Sequence, residues 1–246
     1  MKPNILLIDC GNTNTDFALA TPGRIVKVVG VPTAKLRSLP FAQGDYQHAV
    51  LSSVVPVATR LIRRLLAVEP VVVDSDTELG IGIDYPNPRQ IGADRLANAV
   101  GVVRLYGAPA IVVDFGTAVT FDIVNARRQY IGGVIAPGIA AMTHYLHEQT
   151  ALLPHITPRE PRSLVGKSTV AAMQVGTVIG YRGLVKEIIG GLRKEPGMNR
   201  AVVVATGGYG TLIARKVPAI QHVNPLLTLE GLRFIYLHQS HEPNRP

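Results

Sequence analysis

Asp9-Cys10-Gly11-Asn12-Thr13-Asn14-Thr15-Asp16 joins a carboxylate to a glycine and a run of amide and hydroxyl side chains, directly after the apolar residues Ile5, Leu6, Leu7 and Ile8. These groups suit a phosphate chain accompanied by a divalent cation. Glycine lets the backbone approach an anion, N–H groups and Asn or Thr side chains donate hydrogen bonds, and a carboxylate at a strand end can face hydrated Mg2+. Asp9 is the candidate for that cation. An ordinary hairpin uses the same residue types to satisfy its own turn, so the segment alone leaves the two readings balanced. A second copy shifts the balance: Ile111, Val112 and Val113 lead into Asp114-Phe115-Gly116-Thr117-Ala118-Val119-Thr120, again an apolar run, Asp-x-Gly and a further apolar segment.

The elements that must carry these turns follow from periodicity. Short apolar runs bounded by Gly and Asn predict buried strands joined by tight turns. After the first copy, a strand is predicted over 49–54, a helix over 56–67 with Pro56 near its start, and a strand over 71–73. After the second, a strand over 201–204 ends at Thr206-Gly207-Gly208, with a helix near 211–216 and a strand over 220–223. Helices are also predicted over 92–106, 137–147, 169–193 and 229–238. The glycines Gly176, Gly180, Gly183 and Gly190 suggest close helix packing. Alternating strands and helices in both halves predict an α/β fold of two lobes, 1–107 and 108–246, each a mixed sheet flanked by helices, with the boundary at Gly107-Ala108-Pro109. The tail, 240–246, with His241 and the preceding His238, is expected to be exposed and frayed.

Composition narrows the classes. The chain has 246 residues, 47% apolar and 17% charged, which excludes a disordered polymer and allows a sizeable core. Cys10 is the single cysteine, so no internal disulfide forms, and the start, Met1-Lys2-Pro3-Asn4, precedes too short an apolar run for a signal peptide. A cytoplasmic protein is expected. The stretch 131–142 is broken by Gly132, Gly133, Pro137 and Gly138, far short of the roughly 20 residues that span a bilayer. The net charge of +8 is spread over small groups such as Arg60, Arg63 and Arg64. No run with interleaved aromatics marks a nucleic-acid surface, so neither nucleic acid nor membrane is expected as a partner.

The duplicated Asp-x-Gly turn resembles the plan of the acetate kinase, hexokinase and actin superfamily, with its ribonuclease H-like lobes and the cleft between them. That resemblance implies ATP as ligand and makes 206–208 the counterpart of the glycine turn beside adenosine. A more specific likeness lies in Tyr85-Pro86-Asn87-Pro88-Arg89-Gln90-Ile91-Gly92-Ala93-Asp94-Arg95-Leu96-Ala97-Asn98, which resembles the signature of type III pantothenate kinases. Matching segments include 9–15, 52–56, 114–118, 132–138 and 166–169. The family implies transfer of a phosphoryl group from ATP to pantothenate, the first step of coenzyme A synthesis, in a homodimer.

Carried over by position, the resemblance makes Asp94 the catalytic base. Tyr85, Gly92, Ala93, Asp94, Arg95 and Thr169 become pantothenate contacts. The turn Asp9, Cys10, Gly11, Asn12, Thr13, Asn14, Thr15 and Asp16, with Thr117, becomes the ATP site. Asp9 holds Mg2+ through water, and Asp114 holds a monovalent cation, K+ or NH4+. The chemistry agrees: phosphoryl transfer needs a carboxylate in reach of the acceptor hydroxyl, and Arg pairs with a carboxylate in a forked geometry. Val119, Tyr209-Gly210 and the loop 38–44 depart from the family pattern.

Two other signals are set aside. Gly166-Lys167-Ser168-Thr169 resembles the end of a P-loop, but Pro161 stands where its first glycine belongs, and Ser168 or Thr169 reads better as a helix cap. His144 and His147 lack further ligands in sequence for zinc. The rival functions are a sister kinase acting on another hydroxyl or carboxylate, and a regulatory binding protein without turnover.

Overall fold

Ile5, Leu6, Leu7 and Ile8 are fully buried because strand β1 (Ile5–Cys10) is paired along both edges. A strand covered on both faces selects consecutive rather than alternating apolar residues. β1 runs antiparallel to β2 (Asn14–Ala20), which pairs with β3 (Ile25–Pro32), and parallel to β4 (His48–Ser53). Helix α1 (Pro56–Leu65) starts on its proline, and β5 (Val71–Val72) completes the order β3-β2-β1-β4-β5. The short β6 (Gly82–Ile83) and helix α2 (Ala93–Tyr106) follow. The coordinates are a computed structural model describing residues 4–241, so the first three residues and most of the expected frayed tail lie outside the described residues.

The second sheet repeats the theme. β7 (Ala110–Phe115) forms a hairpin with β8 (Ala118–Val124), and β9 (Gln129–Pro137) continues it. Helices α3 (Ile139–Glu148) and α4 (Thr169–Leu192) lead to β10 (Val202–Thr206), which lies parallel to β7. Helix α5 (Gly210–Ala214) and β11 (His222–Val223) close the order β11-β10-β7-β8-β9, and β6 adds to the first residues of β9. Each sheet therefore centres on a strand with an antiparallel hairpin partner on one edge and a parallel partner on the other. The repeated sequence has become a repeated topology.

Contacts group the chain into two units. The first holds residues up to Gly107, Arg127–Gly132 and residues from Leu226 onward; the second holds Ala108–Ala126 and Gly133–Pro225. The expected undivided lobe 108–246 thus loses Arg127–Gly132, which pairs with β6, and its end from Leu226. The end is lost because helix α6 (Leu227–His241) packs on α2 rather than on the second sheet. Two glycines permit that approach: a Cβ on Gly101 would come within 2.6 Å of the Leu227 carbonyl oxygen, and one on Gly231 would fall on the Ala97 carbonyl. Thr228 donates to the buried Asn98 side chain at 2.8 Å, and Arg233 donates to the Pro22 carbonyl at 2.5 Å.

Gly231→Ala is therefore expected to destabilise the protein by about 2 kcal/mol, because two backbones cannot part locally. The better helix propensity of Ala, worth about 1 kcal/mol, offsets only part of such a clash. Thermal denaturation should show Tm lowered by about 4–8 °C.

Some expectations change. The glycines Gly176, Gly180, Gly183 and Gly190 of α4 face open space instead of a packed neighbour. Pro137 ends β9 rather than starting a helix. Helix α6 runs past the predicted end at 238, and His238 is half-buried against Gly80 instead of lying in an exposed tail. The side chain of His241 lies outside the described residues. Among the described residues, no helix is long and apolar enough to cross a membrane.

Candidate active site

The hairpin between β1 and β2 is closed by the Gly11 N–H donating to the Asn14 carbonyl at 2.9 Å. Thr33, just past β3, braces it: its hydroxyl donates to the Gly11 carbonyl at 2.7 Å and its N–H to the Thr13 carbonyl at 2.9 Å. Asn12, Thr13 and Asn14 project into solvent, whereas Cys10 and Thr15 are buried, with the Thr15 hydroxyl donating to Cys10 Sγ. Of the predicted phosphate residues, these two are closed off within the sheet and present almost no surface to a ligand. Asp16, half-buried, has its carboxyl pushed above the ordinary 3.8 by burial.

Asp9 lies at the end of β1 opposite Ser52 of β4, and the Ser52 hydroxyl donates to Asp9 Oδ1 at 2.9 Å. That bond orients the carboxylate at the carboxyl edge of the sheet. A short path links it to Asp94. The Val54 N–H donates to the Cys10 carbonyl, and the Val54 side chain lies 3.5 Å from where a Cβ on Gly92 would stand. Gly92 is the residue at which α2 begins, and Asp94 lies in its first turn, with its Oδ1 2.5 Å from that same Cβ position.

Asp94 Oδ1 accepts the Arg95 N–H at 2.8 Å. Burial pushes the Asp94 carboxyl above 3.8, and the Arg95 N–H and guanidinium only partly counter it. A carboxylate made more basic by its surroundings is suited to taking a proton. Ala93 is buried, while Arg95 and Tyr85 are half-buried.

In the second unit, Asp114, next to last in β7, stands opposite Thr206 of β10, as Asp9 stands opposite Ser52. The turn after Thr206 closes over Asp114: Gly207 has φ +80°, and a Cβ there would lie 2.5 Å from Asp114 Oδ1 and 2.7 Å from the Phe115 backbone. Only glycine fits both the conformation and the space. Thr117 is exposed, and its carbonyl accepts the Gly138 N–H at 3.1 Å. Thr169 is exposed at the start of α4, where Ser168 is the cap, accepting the Ala171 N–H at 3.2 Å. The residues before it, 149–168, form no strand, as a P-loop would require. His144 pairs with Glu148 at 3.0 Å, and the His147 ring lies 5.8 Å from that of His155.

Both carboxylates offer hard oxygen donors beside hydroxyl-bearing neighbours. That donor set fits Mg2+, which keeps most of its waters, and a monovalent cation. Thr33 lies outside every motif, and the motif segments holding Ser52 and Gly138 did not disclose their partners Asp9 and Thr117. Their roles arise from strand register and loop packing across tens of residues, which local pattern does not encode.

The duplicated architecture is an actin-like α/β fold of two mixed sheets flanked by helices. The structure aligns with a Campylobacter jejuni protein carrying a provisional Baf family transcriptional activator label, with TM-score 0.65 and 19% identity over 96% of this chain and 100% of that one. It also aligns with the activator of 2-hydroxyisocaproyl-CoA dehydratase from Clostridium difficile with bound ADPNP, with TM-score 0.54 and 12% identity over 98% and 99%. At such identities the likeness speaks for the fold alone. The chain belongs to the type III pantothenate kinase family, whose model matches residues 5–190. It is 52% identical over 233 residues to the type III pantothenate kinase of Akkermansia muciniphila, covering 93% of this chain and 96% of that protein. With the Moorella thermoacetica enzyme of the same name it shares 42% over 250 residues, covering 94% and 98%.

Proposed function

We propose that this protein transfers the γ-phosphoryl group of ATP to the 4′-hydroxyl of pantothenate, the first step of coenzyme A synthesis. Membership in the family supports the reaction. The observation that best supports the residue assignment is the chain of contacts from Cys10, next to Asp9, through Val54 to Gly92 at the start of the helix that carries Asp94.

In this reading, the turn 9–16 and Thr117 hold ATP, with 206–208 beside adenosine. Tyr85, Gly92, Ala93, Arg95 and Thr169 hold pantothenate, Arg95 pairing with its carboxylate. Asp94 accepts the proton of the 4′-hydroxyl as that oxygen bonds to the γ-phosphorus and the bond to the β-phosphate oxygen breaks, releasing ADP. Asp9 holds Mg2+ through water and Asp114 a potassium or ammonium ion; bound, these cations neutralise phosphate charge where no P-loop lysine is available. The remaining contribution is alignment of acceptor and donor. The protein works in the cytoplasm as a homodimer.

The test is ADP release by purified protein, with and without pantothenate, in potassium or sodium buffer. Turnover should require pantothenate and be faster in potassium or ammonium than in sodium. Absence of pantothenate-dependent turnover in potassium refutes the enzyme reading, and nucleotide binding without turnover would mark a regulatory protein instead.

A further inference from the structure

Tyr130 belongs to none of the motifs that define the family resemblance, yet its ring meets two residues of the signature segment, Arg95 and Tyr85. It is 1% exposed on β9. The Arg95 guanidinium carbon lies 5.7 Å from the centre of the Tyr130 ring, within cation–π range. The Tyr85 ring meets Tyr130 edge-on, with centroids 6.1 Å apart and planes at 63°. The backbone fixes the same meeting: Ile83 pairs with Tyr130, and the Asp84 N–H donates to the Tyr130 carbonyl at 2.9 Å. Gly132, two residues on with φ +134°, also lies beside the Tyr85 ring; a Cβ there would stand 3.6 Å from it, in ordinary contact.

We infer that Tyr130 is a positioning residue for the pantothenate site, holding the Arg95 guanidinium and the Tyr85 ring in their binding orientations. The inference rests on the proposed reading of Arg95 and Tyr85 as pantothenate contacts. A guanidinium on a long flexible stem loses rotamer freedom when it binds, and an aromatic face that already restrains it lowers that loss. Tyr130 would therefore act on pantothenate affinity without touching pantothenate. It should leave the nucleotide alone.

The experiment compares Tyr130→Leu with Tyr130→Phe in steady-state kinetics, varying each substrate in turn, alongside Tm. In Tyr130→Leu, KM for pantothenate should rise roughly tenfold, the scale of one lost cation–π contact and one lost ring pair, while KM for ATP and kcat stay near the parent values. Tyr130→Phe keeps the ring face and should restore KM for pantothenate close to the parent. If the Leu variant does not fold, Tyr130→Met, which fills the space with an unbranched chain, takes its place. An unchanged KM for pantothenate, or a rise shared equally by both substrates, overturns the inference, because a merely structural residue would lower Tm without separating the two.

Arg95→Ala and Tyr85→Leu distinguish the two levels of the argument. If these raise KM for pantothenate and Tyr130→Leu does not, the positioning role fails alone. If they leave KM unchanged, the reading beneath it fails, and the role of Tyr130 falls with it.

Discussion

Asp94→Asn is expected to lower turnover by about a hundredfold or more, the scale of a lost general base, while the protein stays folded. The amide keeps the shape of the side chain and its oxygen still accepts the Arg95 N–H, but it cannot take a proton at neutral pH. Burial raises the native pKa of Asp94 above 3.8, so the folded state binds this proton more tightly than the unfolded chain does. The sign for stability follows. Below 3.8 both states are protonated and burial of a charge costs nothing. As pH rises from 3.8 through the higher native pKa, stability falls, and the loss persists above it.

Asn, neutral throughout, avoids that loss, so Tm of Asp94→Asn at neutral pH should equal or exceed that of the parent. Activity has the opposite dependence: kcat/KM should rise with pH through the native pKa, with its acid limb displaced upward from 3.8. A variant with parental turnover would place the base elsewhere. A fall in Tm would contradict the burial argument.

Gly207→Ala is expected to damage both stability and nucleotide use. An alanine at φ +80° costs about 1–2 kcal/mol in backbone strain alone. Its Cβ would also press on Asp114 Oδ1 and on the Phe115 backbone, at the end of a strand that β8 and β10 hold from both sides. Since the strand cannot yield, the turn and the carboxylate must move apart. Under the proposed assignment this widens the adenosine turn and displaces the monovalent-cation ligand together. KM for ATP should rise roughly tenfold, which is about 1.4 kcal/mol, and the advantage of potassium over sodium should shrink. Kinetics in the two salts check both effects; retention of parental KM and salt response would separate this turn from the nucleotide.

What the sequence disclosed was whatever its local pattern must encode. The buried runs at Ile5 to Ile8 and Ile111 to Val113 are apolar without interruption because both faces of those strands are covered, so they read directly as strands. The start of α2 was legible from the Gly-Ala-Asp-Arg segment, and the kinase family from six ordered motifs. β3 was not, because it is a mostly exposed edge strand whose apolar residues are diluted by Lys27, Gly30 and Pro32.

Long-range register was equally hidden. Nothing near Ser52 announces that it donates to Asp9, and nothing near Arg182 announces its buried pairing with Glu160, whose carboxylate it meets at 3.0 and 2.5 Å. Asn98 shows the converse. It sits inside the signature segment as though it served chemistry, but it is fully buried and joins α2 to Thr228 of α6. Motif membership therefore mixes residues that meet ligands with residues that hold helices together.

The return of α6 to α2 imposes an order on biogenesis. A nascent chain emerges from the ribosome with its earlier residues first, and early domains ordinarily fold first. Here the unit begun at β1 must wait for the helix 227–241, translated only after the other unit has been made in full. Until that helix arrives, the α2 backbone around Ala97 and Gly101 has no cover, and a stalled or shortened transcript would leave it open to chaperones and proteases while the later unit is already complete.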